Sequence, residues 1–171
     1  INDPDESVKA FFVSEDGVSG GRLAAEHFFD KGHRRVAMIT GASHSQDSNL
    51  RMKGFVSFWR ERGLALPHEN IIEGDFAGGR KTELAVERLL ELDPRPSAVF
   101  CANDTIALTA LRIMSMKGAR CPDDISLLGY NDSAPAGLSL PPLSTIQVPL
   151  YDIARRAVDV LLEFLLHGDT G

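Results

Sequence analysis

Four places in this sequence put polar or aromatic side chains directly beyond a short apolar run. RVAMIT (35–40) leads through the loop GASHSQDS to Arg51, and NIIEGD (70–75) runs into Phe76. SAVFCA (97–102) ends on Asn103-Asp104, and DISLLGY (124–130) ends on Asn131-Asp132. Two amides, several carboxylates, one guanidinium and one aromatic ring suit a small polar molecule with many hydroxyls or heterocyclic edges. The covalent chemistries are poorly signalled. Neither GxGxxG nor GxxxxGK[ST] occurs, so no dinucleotide or nucleoside-triphosphate cradle is indicated. GVSGG (17–21) fits the nucleophile motif GxSxG only formally, because no strong strand precedes it. The five histidines show no metal-ligand spacing. We therefore expect a binding protein rather than an enzyme, with no cofactor and no metal.

Each candidate has a competing structural role. Arg51 stands at helical spacing from Phe55 and Phe58, on an inward-facing stripe. In a helix expected from about Ser48 to Arg62 it would sit in the first turn, where the helix dipole disfavours a cation. Its placement points to a ligand or to a structural carboxylate such as Asp75. Asp104 is read as the cap of the helix that follows, which leaves Asn103 for a ligand. Asn131 either holds its own turn or meets the ligand, and Phe76 either folds back over the sheet or offers its ring. His44 lies in a loop that could face the same rim; His33 sits in a helix-to-strand turn, with packing as its default role.

These residues need elements to position them. Asp16 can cap a helix running to about Lys31, with Leu23, Ala24, His27 and Phe28 along one side and Gly32 as its stop. KAFFVS (9–14) reads as a short strand. Further helices are expected over about 79–92, 104–117 and 151–167, and STIQVP (144–149) after a Pro-rich loop reads as a last strand. Short apolar runs alternating with amphipathic helices mean successive βα units. The expected fold is therefore α/β, a doubly wound parallel sheet. In such sheets ligands bind beyond the carboxyl ends of the strands, where all four candidate positions fall.

Composition sets the outer limits. The 171 residues are 43% hydrophobic and 25% charged, as in a globular domain. A net charge of −6 with scattered basic residues argues against a nucleic-acid surface on this chain. No apolar stretch approaches the roughly 20 residues that span a bilayer, so no membrane partner is expected. Cys101, inside an apolar run, and Cys121, beside a proline, read as reduced thiols of a cytoplasmic protein. The chain opens on Ile1 and reads as a piece of something longer.

Taken in order, VSEDGVSGGRLAAEHFFDKGHRRVAMITG, RMKGF, GDFAGGRKTELAVERLL, PSAVFCANDTIALTALR, CPDDISLLGYNDS and PPLSTIQVP resemble the effector-binding region of the LacI/GalR family of transcriptional regulators, from about Val13 to Leu166. The resemblance implies a periplasmic-binding-protein-like fold of two subdomains joined by three crossings. It places residues 1–32 in part of the N-terminal subdomain and 33–146 in the C-terminal α/β subdomain. Residues 147–171 would form a hinge crossover and a helix returning to the first. It also places effector contacts at Asp16, Arg51, Phe76, Asn103 and Asn131. Two departures stand out: Gly17 where many relatives have Asn, and Asn131 where the family usually has an acid. The implied partners are a small-molecule effector (a carbohydrate before a nucleobase), a second copy of the chain, and DNA through a helix-turn-helix absent from these residues. The implied mechanism is allosteric control of operator binding. A periplasmic sugar receptor of a transporter is the alternative on the same fold.

Overall fold

The computed structural model describes residues 12–167. The chain divides into two compact units, Gly17–Gln147 and a second that includes residues 12–16 and 148–167. Each is described by itself.

Gly17–Gln147 is built as successive strand–helix units. Helix α1 (Gly17–Asp30) leads to β1 (Val36–Thr40), then α2 (Gln46–Glu61), β2 (Ile71–Glu73) and α3 (Arg80–Leu90). There follow β3 (Ala98–Cys101), α4 (Asp104–Met116), β4 (Ser126–Asn131), the short α5 (Ala134–Leu138) and β5 (Ser144–Gln147). The five strands form one parallel sheet in the order β2-β1-β3-β4-β5. After β1 the chain adds β2 on one side, and β3 then returns to the other. The doubly wound parallel sheet read from the sequence is thus observed, with its switch of winding direction between β1 and β3.

Every residue of β1 and β3 is buried, which is why these strands read as unbroken apolar runs rather than as alternation. An aromatic series crosses the core from helix to sheet. Phe28 meets Phe55 edge-on at 6.3 Å, Phe55 lies 5.1 Å from Phe100, and Phe100 lies 6.2 Å from Tyr130. Burying each such side chain stabilises the fold by about 1.5–3 kcal/mol. Trp59 is also fully buried, and its indole nitrogen has no hydrogen-bond partner among the described residues.

Helix α1 belongs to the same compact unit as the sheet. The cause is a close crossing with α2. A Cβ on Gly21 would collide with the Arg51 carbonyl, and one on Gly54 with the Val18 carbonyl, so the two helix backbones touch. The face that α1 buries is Gly21, Ala24, Ala25 and Phe28; Leu23 and His27, expected on that side, are exposed. Gly32, at φ +86°, ends the helix with His33 N–H donating to Phe28 O at 2.9 Å.

In the second unit α6 (Leu150–His167) is strongly amphipathic, and its Val158, Leu161, Leu162 and Leu165 are about half exposed or more. The strand expected over 9–14 lies largely outside the described residues, and residues 12–14 pair in no sheet. Among the described residues no helix is long and apolar enough to cross a membrane.

Candidate functional site

Arg51, on the helix that follows β1, reaches the carboxyl end of β3, across the point where the winding reverses. Its helix begins earlier than expected, because Ser45 rather than Ser48 is the cap: the Ser45 side chain accepts from Ser48 N–H at 3.3 Å. Arg51 therefore stands in the second turn of α2, not the first, and the opposition of the helix dipole is correspondingly weaker. Its side chain does point inward. Arg51 is only 6% exposed, and its Nη1 donates to the carbonyl of Ala102, the residue after β3, at 2.7 Å. The guanidinium lies 3.9 Å from the centre of the Tyr130 ring and 6.0 Å from that of Phe76. A desolvated cation over an aromatic face is held by the ring quadrupole.

Phe76 follows β2 and its partly buried ring lies against Gly41, where a Cβ would fall 2.7 Å from the ring. Its backbone is tied to the next strand end, because Asn103 Nδ2 donates to Phe76 O at 3.0 Å. Asn103, not Asp104, is the cap of α4. Its Oδ1 accepts from Ile106 N–H at 2.8 Å, the position three residues on that an N-cap amide serves. One amide N–H and one oxygen lone pair remain for a further contact, and the residue is 8% exposed. Asp104 turns away from its own helix towards Ser133 and Thr145.

Asp75 does not hold Arg51. Its Oδ1 accepts from Gly79 N–H at 3.0 Å, and Thr82 Oγ1 lies 3.4 Å from its Oδ2. The Gly79 N–H, with those of neighbouring backbone, keeps this carboxyl below the usual carboxylate range.

Arg51, Phe76 and Asn103 are thus brought together, with Tyr130 as a fourth member that the sequence reading overlooked. Tyr130, 1% exposed, looks like the last core residue of an apolar strand. The available signal was its place immediately before Asn131. Asn131 ends β4 with φ 113° and is partly exposed. Its side-chain amide makes no hydrogen bond among the described residues, so it does not hold its own turn. Asp16 falls in the other compact unit, immediately before the first residue of α1. His44 is an exposed loop residue, and His33 packs in its turn against Ser97 and the Phe28 ring.

Cavities of about 290, 490 and 220 Å³ open at the other end of the sheet, beside the residues that lead into β1, β4 and β5.

This fold and this rim define a class. Residues 25–171 match the periplasmic binding protein-like domain, and the chain belongs to that family. Within it the chain is a ligand-binding domain of the LacI/GalR type. It is 37% identical over 153 residues to the ribose operon repressor of Haemophilus influenzae, covering 88% of this chain and 45% of the relative. To the transcriptional repressor PurR of Photobacterium profundum it is 33% identical over 151 residues, with the same two coverages. The solved transcriptional regulator CelR–cellobiose complex superposes with a TM-score of 0.84 at 30% identity, covering 91% of this chain and 47% of that one. A putative LacI regulator from Bacillus cereus superposes at 0.89 with 29% identity, covering 99% and 60%. The chain spans about half the length of the curated relatives it matches.

Proposed function

We propose that the chain is the effector-sensing and dimerisation part of a cytoplasmic transcriptional regulator, and that the effector is a sugar. The observation that carries this reading is the convergence of Arg51, Phe76 and Asn103 at the carboxyl ends of the strands, on either side of the β1/β3 switch point. Arg51 and Asn103 supply donors to hydroxyls, Asn131 supplies both a donor and an acceptor, and Phe76 gives an apolar face for a sugar ring. The ribose operon repressor and the CelR–cellobiose complex among its relatives favour a carbohydrate. A nucleobase stacked on Phe76 is the second choice.

The effector bound between two subdomains of the parent protein favours one hinge angle by its differential affinity for the two states. Operator DNA is then read by a helix-turn-helix outside these 171 residues, in keeping with the chain's charge of −6. A second copy docks on the apolar surface of α5 and the loop after it, where Leu138 is 84% and Leu140 90% exposed.

Calorimetric titration of the full-length regulator with D-ribose, cellobiose and adenine tests the reading. Binding of a sugar that is lost in Arg51→Ala supports it. Tight adenine binding with no sugar response would replace the sugar by the base. An Arg51→Ala protein that binds as well as wild type would overturn the site.

A further inference from the structure

Asp104 is a buried carboxylate that does not cap its helix. It is 1% exposed, and both of its oxygens are engaged by the segment beyond β4. Oδ2 accepts from the backbone N–H of Ser133 at 2.7 Å, and Oδ1 accepts from the Thr145 hydroxyl at 2.5 Å. The Thr145 oxygen in turn accepts from Asp132 N–H at 3.2 Å, and Gln147 Nε2 donates to Asp132 Oδ2 at 3.1 Å. A Cβ on Gly129 would collide with Asp104 Oδ1, so the strand passes this carboxylate with a hydrogen alone.

Between these anchors lie two successive non-glycine residues in a backbone region that L side chains avoid, Asn131 at φ 113° and Asp132 at φ 56°. Such geometry persists only where the surroundings over-determine it. Here the surroundings are a charge-assisted hydrogen bond to Ser133 on one side and the Thr145 relay to Asp132 on the other. Among the described residues the side-chain amide of Asn131 has no hydrogen-bond partner.

We propose that Asp104 is a positioning residue for Asn131: the buried carboxylate holds the turn after β4 in its left-handed form and thereby fixes where the Asn131 amide is presented. The proposal rests on Asn131 being an effector contact. Replacing Asp104 by Asn sets an NH2 group against one of two donors, Ser133 N–H or Thr145 O–H, and breaks the clamp.

The test is made on the full chain. The three-bond HN–Hα coupling of Asn131, measured by NMR without ligand, is expected to be small in wild type. It should rise to the large value of extended backbone in Asp104→Asn and Thr145→Val, and stay small in Thr145→Ser. Buried Trp59, the sole tryptophan, reports by its emission that each variant is folded. Should Asp104→Asn fail to fold, Thr145→Val carries the test. A small coupling retained in a folded Asp104→Asn, or in Thr145→Val where that variant carries the test, overturns the proposal. In a binding arm with D-ribose as probe, Asp104→Asn should weaken affinity about tenfold and add no further loss in an Asn131→Ala background. Additive losses would overturn it. If Asn131→Ala leaves ribose affinity intact, or wild type does not bind ribose, the reading of the site fails instead, and the coupling still decides the role of Asp104.

Discussion

The side chain of Asn103 joins two strand ends at once: its nitrogen donates to the carbonyl of Phe76 at 3.0 Å while its oxygen caps α4 through Ile106 N–H at 2.8 Å. A single amide therefore carries both a helix start and the loop that presents an aromatic ring. Asn103→Ala should lower stability by about 0.5–2 kcal/mol through the lost cap and loosen the Phe76 loop as well. Asn103→Asp keeps the capping oxygen and loses only the donor to Phe76. We expect urea denaturation, followed by Trp59 emission, to rank the three proteins wild type, Asp, Ala. Equal stability of Ala and wild type would show that the cap contributes nothing.

Removal of Arg51 has two consequences. The side chain is a buried structural member through Ala102 and Tyr130 as well as a rim donor. Arg51→Ala should cost roughly 1.5–3 kcal/mol of stability and weaken effector binding about tenfold or more. Arg51→Lys should rescue neither fully, because an ammonium lacks the planar face that stacks on Tyr130. Denaturation and calorimetry on the same samples separate the two effects; a lysine variant equal to wild type in both would refute the stacking argument.

The crossing of α1 and α2 predicts opposite results for two glycine-to-alanine changes. At Gly21 the new methyl meets the Arg51 carbonyl, and overpacking of this kind costs about 1–3 kcal/mol. At Gly137, in α5, the added Cβ meets nothing within 4 Å, and better helix propensity makes Ala neutral or slightly stabilising. Thermal melts of the two variants check both signs.

His33 gives the fold a mild acid sensitivity. Burial, followed by the charge of His27, holds the imidazole below its ordinary value, so the folded state prefers it neutral. Above the unfolded value of about 6.5 neither state is protonated and the full stability is present. As pH falls below that value the unfolded chain takes up the proton first, and stability declines until the folded imidazole titrates too. Melting temperature between pH 7 and pH 5 should therefore fall more steeply for wild type than for His33→Asn.

Exposed Leu138 and Leu140 make the proposed dimer surface testable. Leu138→Asp combined with Leu140→Asp should convert a dimer of the full-length regulator to monomer in light scattering, with effector affinity retained. A dimer that persists unchanged would place the interface elsewhere.

How far the sequence revealed this arrangement depends on what physics each residue shows locally. Val36–Thr40 and Ala98–Cys101 were legible because a strand buried on both faces leaves an unbroken apolar run. Arg51 was legible as inward-facing because helical spacing from Phe55 and Phe58 survives a two-residue error in the helix start. The cap of α4 was read as Asp104 and is Asn103, since adjacent residues both able to cap differ only in backbone angles that no propensity records. Helix α5 was missed because five residues containing Pro and Gly read as a turn. Tyr130 stayed hidden because an aromatic residue ending an apolar strand looks the same whether or not a cation lies on it.

The rim residues differ in how much of the fold rests on them, and this sets the order in which ligand preference can drift. Changing Asn103 disturbs a helix cap, and changing Arg51 strips a buried carbonyl of its donor. Changing the side chain at position 131 removes no hydrogen bond among the described residues, while the turn that carries it is anchored through its neighbours. On the proposed reading of the rim, position 131 is the slot where an acid and an amide exchange at little structural cost, and where a lineage acquires a new effector before the other contacts have to follow.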